Sequence, residues 1–554
     1  MSINSNRFWK MLKPDKKEIY QVYTFALFKG LIALTIPLGI QTIINFIQGG
    51  NISTSWIMLS ILIGLGIALN GWFQLIQMRI LENIQQHIFT RSAFDFVSRI
   101  PKIKSEELQN YYAPELMNRF FEVMTIQKSL PKTILHFSTA ILQIFFGLML
   151  LSLYHPFFII FSIVLVLMVI GIISLTSKRA FQTSVEESKF KYKLVSWLEE
   201  MARSKTTFKI ASQSELPVRK TDEKVTKYLL SREKHYSILK NQFGLLLAFK
   251  IIITLSLLLI GGLLVINQQM NIGQFVAAEI IILLIIDSSE KIITSLESVY
   301  DMFTSLDKLE QVYQFKLDTD TGTQELNTQQ NNGLSIELVN IKFGYSENDF
   351  IIDDLSFKFL AGKKYCISGN NGSGKSTLMN LISGNLTPVS GNICINELPV
   401  QNYFKKDIAR AISCALRDDT LFEGTIMDNI TLGRPENTPD QINKVLEDVY
   451  LASFIKSLPN GIDTILDPMG KRLPHSINQK IILARCLAGF GCVNIIETNT
   501  DSIEKKEKTT IIDALFNNNK TVIISSNDEY IKSKCDFVIL MKEGKFDQII
   551  SKQA

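Results

Sequence analysis

Hydrophobic residues are distributed unevenly along this chain of 554 residues, and before residue 300 they form long runs with few charges. Each run is long enough to cross ~30 Å of hydrocarbon as an α-helix. The pattern predicts a membrane α-helical domain over residues 1–315, with six transmembrane helices. The runs are Tyr20–Ile47, Trp56–Ile80, Thr133–Tyr154, Pro156–Thr176, Phe243–Ile266 and Ile272–Leu296.

The segments between these runs differ sharply in charge. Gln48–Ser55 and Asn267–Asn271 contain no Lys or Arg, whereas Leu81–Lys132 and Ser177–Gln242 are long and rich in both. Positively charged loops tend to stay on the cytoplasmic side of a membrane. We therefore expect a multi-pass protein in the lipid bilayer of the cell's inner (cytoplasmic) membrane, with both termini and both long loops in the cytoplasm.

Five charged residues interrupt the predicted spans. Charges at membrane depth are costly and usually face a cavity or a partner. Glu279 lies deep in the last span and is a candidate pathway residue, although a purely structural role fits it equally well. Asp287 and Glu290 are also consistent with the point where this helix leaves the bilayer. The five residues are Lys29, Lys250, Glu279, Asp287 and Glu290.

The second half of the chain has a different pattern. Residues 316–333 are rich in Thr, Gln and Asn and poor in large apolar side chains, which is typical of a linker. From 334 to 554, strand-like and helix-like segments alternate, which predicts a C-terminal α/β domain.

The amino-acid composition argues against two kinds of function, nucleic-acid binding and metal binding by cysteines. The net charge of +5 is small and is explained by the asymmetry of the membrane loops, so no nucleic-acid partner is expected. All six cysteines follow residue 360, and none has metal-ligand spacing. We therefore interpret them as small buried hydrophobic residues.

One stretch of the α/β domain has the pattern of a phosphate-binding loop: Gly, four residues, then Gly-Lys-Ser. Glycines let the backbone wrap around phosphates, and the N–H groups at the start of a helix point at them. Lys375 would neutralise the outer phosphates and the hydroxyl of Ser376 would bind Mg²⁺. A P-loop NTPase domain with ATP and Mg²⁺ as cofactors is a far better interpretation than a glycine-rich turn without a ligand. The predicted nucleotide-binding residues are Gly369, Asn370, Asn371, Gly372, Ser373, Gly374, Lys375, Ser376 and Thr377.

Tyr345 ends the strand-like segment Leu334–Tyr345. Its ring could stack on an adenine, as aromatic rings do with bases. Taken alone, an aromatic residue at a strand end more often packs inside the protein. Tyr345 is therefore a candidate nucleotide contact for which a packing role stays open.

The order of these features resembles a half-transporter of the ABC exporter superfamily with the type I exporter fold, similar to bacterial toxin and peptide exporters. The resemblance implies a dimer with two ATP sites at the interface and an ATP-hydrolysing translocase. In that family each site joins one subunit's phosphate loop to the other subunit's signature motif. The segments that carry the resemblance are Ile36–Gln41, Glu115–Arg119, Gly273–Glu279, Phe343–Tyr345, Leu421–Ile430, Leu458–Thr464 and Ile481–Arg485.

Aligned with that family, three positions near the metal and the attacking water are changed. Arg417 falls at the Gln-loop position, where a cation would repel Mg²⁺. Glu497 stands where the magnesium-associated aspartate belongs, so that metal coordination remains feasible. Thr498 stands at the general-base position, and a hydroxyl cannot take a proton from water at neutral pH as a carboxylate can.

Two further motifs depart from the family pattern. The signature, Leu-Ser-Gly-Gly-Gln in the family, is replaced by Leu473–Ile477, in which Pro474 has neither a hydroxyl nor an N–H. The side chain of His475 would hinder close backbone approach to a phosphate. Asn527 falls at the switch-histidine position and carries no positive charge.

These substitutions leave the enzyme assignment open between two hypotheses. The first is an ATP-binding exporter subunit that moves a peptide, protein or amphipathic cargo outward, with hydrolysis that is weak or dependent on a partner. The second is a non-hydrolysing structural or regulatory membrane protein that uses ATP as a conformational ligand. The expected partner is another half-transporter, in a homodimer or a heterodimer, and a periplasmic adaptor is a further candidate.

Overall fold

The computed structural model describes residues 11–49, 54–108, 111, 113–211, 214–320, 322–327, 333–346, 349–497 and 502–552. The chain divides into two compact units. The helical unit comprises Met1–Pro101 and Tyr111–Phe315, and the α/β unit comprises Lys102–Asn110 and Lys316–Ala554.

Long helices dominate the first 313 residues. Six helical segments in the described part of the chain are long and apolar enough to cross a membrane, in agreement with the six predicted spans. The first span contains two helices that meet at Leu34, and several helices continue far beyond their apolar runs. The helices are α1 (Lys16–Ala33), α2 (Thr35–Gln48), α3 (Thr54–Arg99), α4 (Ser105–Leu108), α5 (Ala113–Met117), α6 (Phe121–Ser152), α7 (Phe157–Arg203), α8 (Lys205–Ile210), α9 (Leu216–Ile266) and α10 (Ile272–Tyr313).

Helix α10 is the most buried of the spans, with half of its most apolar window inside the protein. It packs against α6, where Gly147 lies so close to Ile285 that an added Cβ would be 3.1 Å from that side chain. Two of the charges predicted within spans are paired, because Lys250 binds Glu290. Lys291 lies 2.6 Å from Asp287 on the same helix, and Glu279 is half-buried on α10.

The α/β unit contains short strands that alternate with short helices, as the sequence predicts. Its strands are β1 (Ile336–Ser346), β2 (Asp349–Phe359), β3 (Lys364–Ser368), β4 (Ser390–Ile395), β5 (Leu398–Pro399), β6 (Ile412–Ala415), β7 (Gly424–Thr425), β8 (Ile465–Leu466), β9 (Val493–Ile496), β10 (Thr521–Ser525), β11 (Phe537–Lys542) and β12 (Lys545–Ser551). Its helices beyond α4 are α11 (Lys375–Ile382), α12 (Lys405–Ala411), α13 (Ile426–Thr431), α14 (Pro439–Asp448), α15 (Ala452–Ser457), α16 (His475–Leu487), α17 (Lys505–Phe516) and α18 (Glu529–Lys534).

The central sheet of this unit has the strand order β12-β11-β3-β10-β9-β6. Only its edge strand β12 is antiparallel to its neighbour among the pairs described. Every residue of β3 and β9 is buried, as expected for strands covered on both faces. A second, antiparallel sheet has the order β2-β1-β4-β5.

This strand order decides where the site forms. Strands β3, β10, β9 and β6 are adjacent and parallel, so their carboxyl ends meet at one edge of the sheet. Ligands of open parallel sheets bind in the crevice outside the carboxyl ends of the strands. The segments that leave this edge begin at Gly369, Ser526, Glu497 and Leu416.

Candidate nucleotide-binding site

The phosphate loop leaves β3 and enters α11 through glycines in backbone conformations that side chains rarely adopt. Gly369 has φ +156° and Gly374, the residue before the helix, has φ +96°. A Cβ on Gly369 would lie 2.3 Å from the carbonyl oxygen of Met541 on β11. Glycine at this position therefore lets the loop pass close to the neighbouring strand, and α11 begins with its N–H groups at the sheet edge.

The ammonium group of Lys375 is held over this loop. Its Nζ donates hydrogen bonds to the carbonyl oxygens of Gly369 and Asn370, both at 2.8 Å, and lies 3.4 Å from Oγ of Ser373. Burial lowers the pKa of Lys375, and the carboxylate of Glu497 opposes this shift. The lysine therefore lies where it could transfer its hydrogen bonds from loop carbonyls to phosphate oxygens.

Ser376 and Glu497 form the predicted metal-binding pair. The hydroxyl of Ser376 donates a hydrogen bond to Oε1 of Glu497, which follows β9. The other carboxylate oxygen, Oε2, is buried and has no hydrogen-bond partner in the described structure. Burial raises the pKa of Glu497, while the Ser376 bond and the charges of Arg417 and Lys375 lower it. A hydroxyl beside an unsatisfied carboxylate oxygen is a donor set that fits Mg²⁺.

Asn527 follows β10 and bonds to the base of the loop. Its Oδ1 accepts hydrogen bonds from Oγ of Ser368 at 2.8 Å and from the N–H of Gly369 at 3.1 Å. Its Nδ2 donates to the carbonyl oxygen of Gly369 at 3.2 Å. The side chain at the switch-histidine position is thus bonded to the backbone of the loop that would hold the phosphate.

The other residues predicted for the site differ in how exposed they are to solvent. Ser373 and Thr377 are buried, at 6% exposure each. Asn371 and Gly372 are exposed at its tip. Arg417 is exposed just after β6, and its charge acts on Glu497. Thr498, at the predicted general-base position, lies outside the described residues.

Tyr345 lies on β1 of the second sheet. Its ring is 52% exposed and meets the ring of Phe343 edge-on, with the ring centres 5.2 Å apart. Phe343 is itself buried, so the pair anchors Tyr345 while leaving part of its ring accessible. Stacking of this ring on an adenine stays a prediction.

The segment Leu473–Ile477 leads into α16, which begins at His475. Pro474 precedes the helix with φ −55° and ψ 143°, and its carbonyl oxygen accepts hydrogen bonds from the N–H groups of Ile477 at 3.0 Å and Asn478 at 3.1 Å. Pro474 and His475 are exposed. Among the described residues, no hydrogen bond joins this segment to the phosphate loop.

Sequence reasoning missed two contributors to the loop. Ser368 donates the hydrogen bond that fixes Asn527, and the N–H of Gly544 donates to the carbonyl oxygen of Ser373 at 3.1 Å. Gly544 has φ +75°, and a Cβ on it would lie 1.9 Å from the carbonyl oxygen of Ile351. The Glu543–Gly544 pair between two strands signals a tight turn, but only the strand order reveals that the turn touches the loop.

Comparison with known proteins establishes the class. Residues 22–289 match the ABC transporter transmembrane region, and residues 352–495 match the ABC transporter family itself. Because these segments together make up more than half of the chain, the protein belongs to the ABC transporters. One membrane region and one ATP-binding region in the same chain are the parts of a half-transporter, as predicted.

The fold is that of an exporter. A bacterial Atm1-family ABC exporter with ATP bound superposes with a TM-score of 0.81, covering 97% of this chain and 95% of that chain. The two sequences are 15% identical, so the likeness concerns the fold alone. It confirms the predicted type I exporter fold of six helices followed by an α/β domain, in a multi-pass membrane protein.

Several curated proteins are similar in sequence. An uncharacterized ABC transporter ATP-binding protein of Bacillus subtilis, YknV, is 28% identical over 312 residues, which cover 54% of this chain and 51% of that protein. The mesentericin-Y105 transport/processing ATP-binding protein MesD of Leuconostoc mesenteroides is 27% identical over 349 residues, covering 61% and 47%. The β-(1→2)glucan export ATP-binding/permease protein NdvA of Rhizobium meliloti is 25% identical over 300 residues, covering 52% and 50%. The chain thus spans about half the length of these curated relatives.

Proposed function

We propose that this chain is an ATP-binding subunit and permease of an ABC-type exporter, with hydrolysis that is weak or dependent on a partner subunit. The observation that carries the proposal is the arrangement of Lys375, Ser376 and Glu497 at one edge of the parallel sheet. Lys375 and the loop N–H groups would bind the phosphates of ATP. Ser376 and the free oxygen of Glu497 would bind Mg²⁺. Bound ATP would supply the free energy that brings two nucleotide-binding units together.

Weak hydrolysis is proposed from the replaced positions. Thr498 offers no carboxylate to accept a proton from the attacking water, and general acid–base catalysis typically contributes ~10²–10⁴-fold in rate. Asn527 has no positive charge and bonds instead to Gly369. Arg417 brings a cation near the carboxylate proposed to bind the metal.

The membrane, the cargo and the partner are part of the same proposal. The charge asymmetry of the loops supports the inner (cytoplasmic) membrane with both termini in the cytoplasm. The names of relatives that act in mesentericin transport and β-(1→2)glucan export favour an outward-moving peptide, protein or amphipathic cargo. A dimer is proposed because each family site needs a second subunit. A heterodimer with an intact half-transporter would leave Pro474 opposite the partner's phosphate loop.

A second candidate function is favoured by the same substitutions. Loss of the base, the signature and the switch histidine together fits a structural or regulatory membrane protein that binds ATP as a conformational ligand without hydrolysing it. The helical scaffold favours the exporter, whereas the replaced positions favour this alternative.

ATP turnover separates the two candidates. The chain is purified into lipid nanodiscs, alone and together with any half-transporter encoded beside its gene, and Mg²⁺-dependent ATP hydrolysis is compared with that of the Lys375→Ala variant. The exporter proposal expects turnover above the variant in at least one preparation. Turnover equal to that of Lys375→Ala in both would falsify it and favour the non-hydrolysing function.

A further inference from the structure

A cavity bordered by charged side chains lies within the helical unit. It has a volume of about 710 Å³ and is bordered by α7, by the first turns of α9, by the end of α10 and by the turn that precedes α6. Tyr192 and Trp197 contribute ring surfaces to its wall. The cavity thus combines aromatic surface with a ring of charged side chains.

The charges around this cavity do not balance. Six Lys or Arg side chains border it, against three Glu side chains. The Glu side chains are already engaged: Glu200 pairs with Arg203 at 2.6 Å, Glu115 accepts from Ser196 at 3.2 Å, and Glu199 accepts from Asn118. In the described part of the chain, the other five cations have no carboxylate within 4.0 Å. These five are Arg119, Lys189, Lys193, Lys224 and Lys308.

Two of these cations are held deep in the wall. The guanidinium carbon of Arg119 lies 4.2 Å from the ring centre of Tyr192, and Nζ of Lys308 lies 5.7 Å from the same centre. Lys308 is only 7% exposed. Nε and Nη1 of Arg119 are buried without a hydrogen-bond partner in the described structure. The carboxylates of Asp307 and Glu122 offset part of the cost of burying the Lys308 charge. Burying a cation is unfavourable, and a bound anion would reduce the cost that remains.

The position of the cavity along α7 favours a soluble source of that anion over a lipid headgroup. The apolar run of α7 ends at Thr176. At ~1.5 Å per helical residue, Lys189 lies ~20 Å and Arg203 ~40 Å beyond it along the helix. A headgroup anchored in the bilayer would have to extend over that distance, which favours a soluble anion.

We infer that this cavity binds a soluble multivalent phosphate anion. Lys308, Lys189, Lys193 and Lys224 offer point charges around the cavity, and the guanidinium of Arg119 adds a further positive charge to its wall. An anion with a single charge would leave most of these cations unbalanced. The site is separate from the proposed ATP site and uses none of its residues.

Binding of inorganic pyrophosphate to the full chain tests this inference. Every protein carries Lys375→Ala, which removes the main phosphate contact of the loop, and is held in neutral-lipid nanodiscs without Mg²⁺ or ATP. Equilibrium dialysis gives the stoichiometry, and Trp197 fluorescence gives the affinity. We expect one pyrophosphate per chain and, after Lys308→Met, binding weaker by about tenfold or more, since one buried charged contact is lost.

Two variants control for the loss of a charge. Lys308→Arg keeps the charge and should restore binding. Lys227→Met removes an exposed lysine of α9 that pairs with Glu223 at 2.6 Å outside the cavity, and it should leave binding unchanged. Equal binding by the Lys308→Met and Lys227→Met proteins, or no binding in the Lys375→Ala background, overturns the inference. Neither result affects the proposed transport function, because no nucleotide is used.

Two further experiments, a double variant and a competition by lipid, complete the test. If Lys308→Met prevents folding, the exposed pair Lys189→Gln and Lys193→Gln should weaken binding and make it less dependent on salt. Unchanged affinity in that double variant contradicts the inference. Nanodiscs of phosphatidylglycerol test the source of the anion: competition by this lipid would assign the cavity to a headgroup instead of a soluble anion.

Discussion

The phosphate loop, Gly369–Thr377, and the segment Leu473–Ile477 both lead into a helix, but they differ in what they offer an anion. The loop enters α11 through Gly374, with a positive φ and no side chain. The other segment enters α16 through Pro474, which has no N–H, and is followed by the exposed side chain of His475. Around the loop, Lys375 and Asn527 bond to Gly369, and Ser376 bonds to Glu497. No hydrogen bond in the described structure links Leu473–Ile477 to these residues.

The difference supports the proposal that this chain keeps the chemistry for its own nucleotide and lacks the chemistry it would present to another subunit. In the family, the phosphate loop acts on the nucleotide held by its own chain, and the signature acts on the nucleotide of the opposite chain. Substitution of the signature leaves the fold of α16 intact. On this proposal nucleotide binding and cross-subunit catalysis are separable properties, and four variants test this separation.

Removal of the loop lysine should have the largest effect. Lys375→Ala deletes the ammonium group that would bind the outer phosphates, and we expect ATP affinity to fall on the order of 100-fold, because two charge-assisted contacts are lost. Isothermal titration of the full chain in nanodiscs measures this. The matched control is Lys363→Ala, an exposed lysine before β3, which should bind like the unchanged protein. Equal losses in both variants would mean that the effect is general electrostatics.

Neutralising the proposed metal ligand should have the next largest effect. Glu497→Gln keeps the size of the side chain and removes its charge, so ATP affinity in the presence of Mg²⁺ should fall about tenfold, as expected when one charged contact is lost. Without Mg²⁺ the affinity should stay the same or rise. Glu504→Gln, an exposed carboxylate before α17, serves as the control. A loss that is equal with and without Mg²⁺ would count against metal binding by Glu497.

Replacing Asp528, the residue after Asn527, should have a smaller effect, and the size of this effect should depend on pH. Asp528 binds Lys508 and accepts hydrogen bonds from the N–H groups of Tyr530 at 2.8 Å and Ile531 at 3.3 Å, and the Lys508 bond is the main reason that its pKa is lowered. We expect Asp528→Asn to reduce the free energy of opening α18 by about 1 kcal/mol near neutral pH.

The sign of the pH dependence follows from the lowered pKa. A carboxylate with a depressed folded pKa stabilises the fold above its ordinary value of about 4, and this contribution disappears as the pH falls through the folded pKa. The free energy of opening α18 should therefore differ less between the unchanged protein and Asp528→Asn as the pH falls. Hydrogen–deuterium exchange of Glu529–Lys534 measures this difference in free energy. A difference that grows as the pH falls would contradict the claim that the Asp528 carboxylate stabilises α18.

The smallest effect is expected in the segment Leu473–Ile477. Pro474→Ser places a capping hydroxyl before α16 and should stabilise that helix by about 0.5 kcal/mol, offset in part by the lost rigidity of proline. ATP affinity should change by less than about twofold, since the segment has no hydrogen bond to the loop. Exchange of the α16 amides and ATP titration give the two values. A change in affinity as large as that of Lys375→Ala would remove the distinction between the two regions.

The sequence predicts some of these features better than others. The six spans follow from uninterrupted apolar runs, and the loop from a local pattern of glycines with Lys375. Contacts between distant segments do not follow, because Asn527 reaches Gly369 only through the pairing of β3 with β10. The carboxylate of Glu497 is likewise brought to Ser376 by the place of β9 beside β10. Strand order is set by packing of the whole domain, which no local pattern encodes.

The place of β3 between β10 and β11 has a consequence for how the protein is made. A ribosome synthesises Lys364–Ser368 long before Thr521–Ser525 and Phe537–Lys542, the strands on either side of it. During that interval the helices before residue 313 can already enter the membrane, while β3 has neither neighbour. A nascent chain can therefore enter the membrane before it completes the sheet around its phosphate loop, and its unpaired strand is most exposed to aggregation or to chaperones during that time.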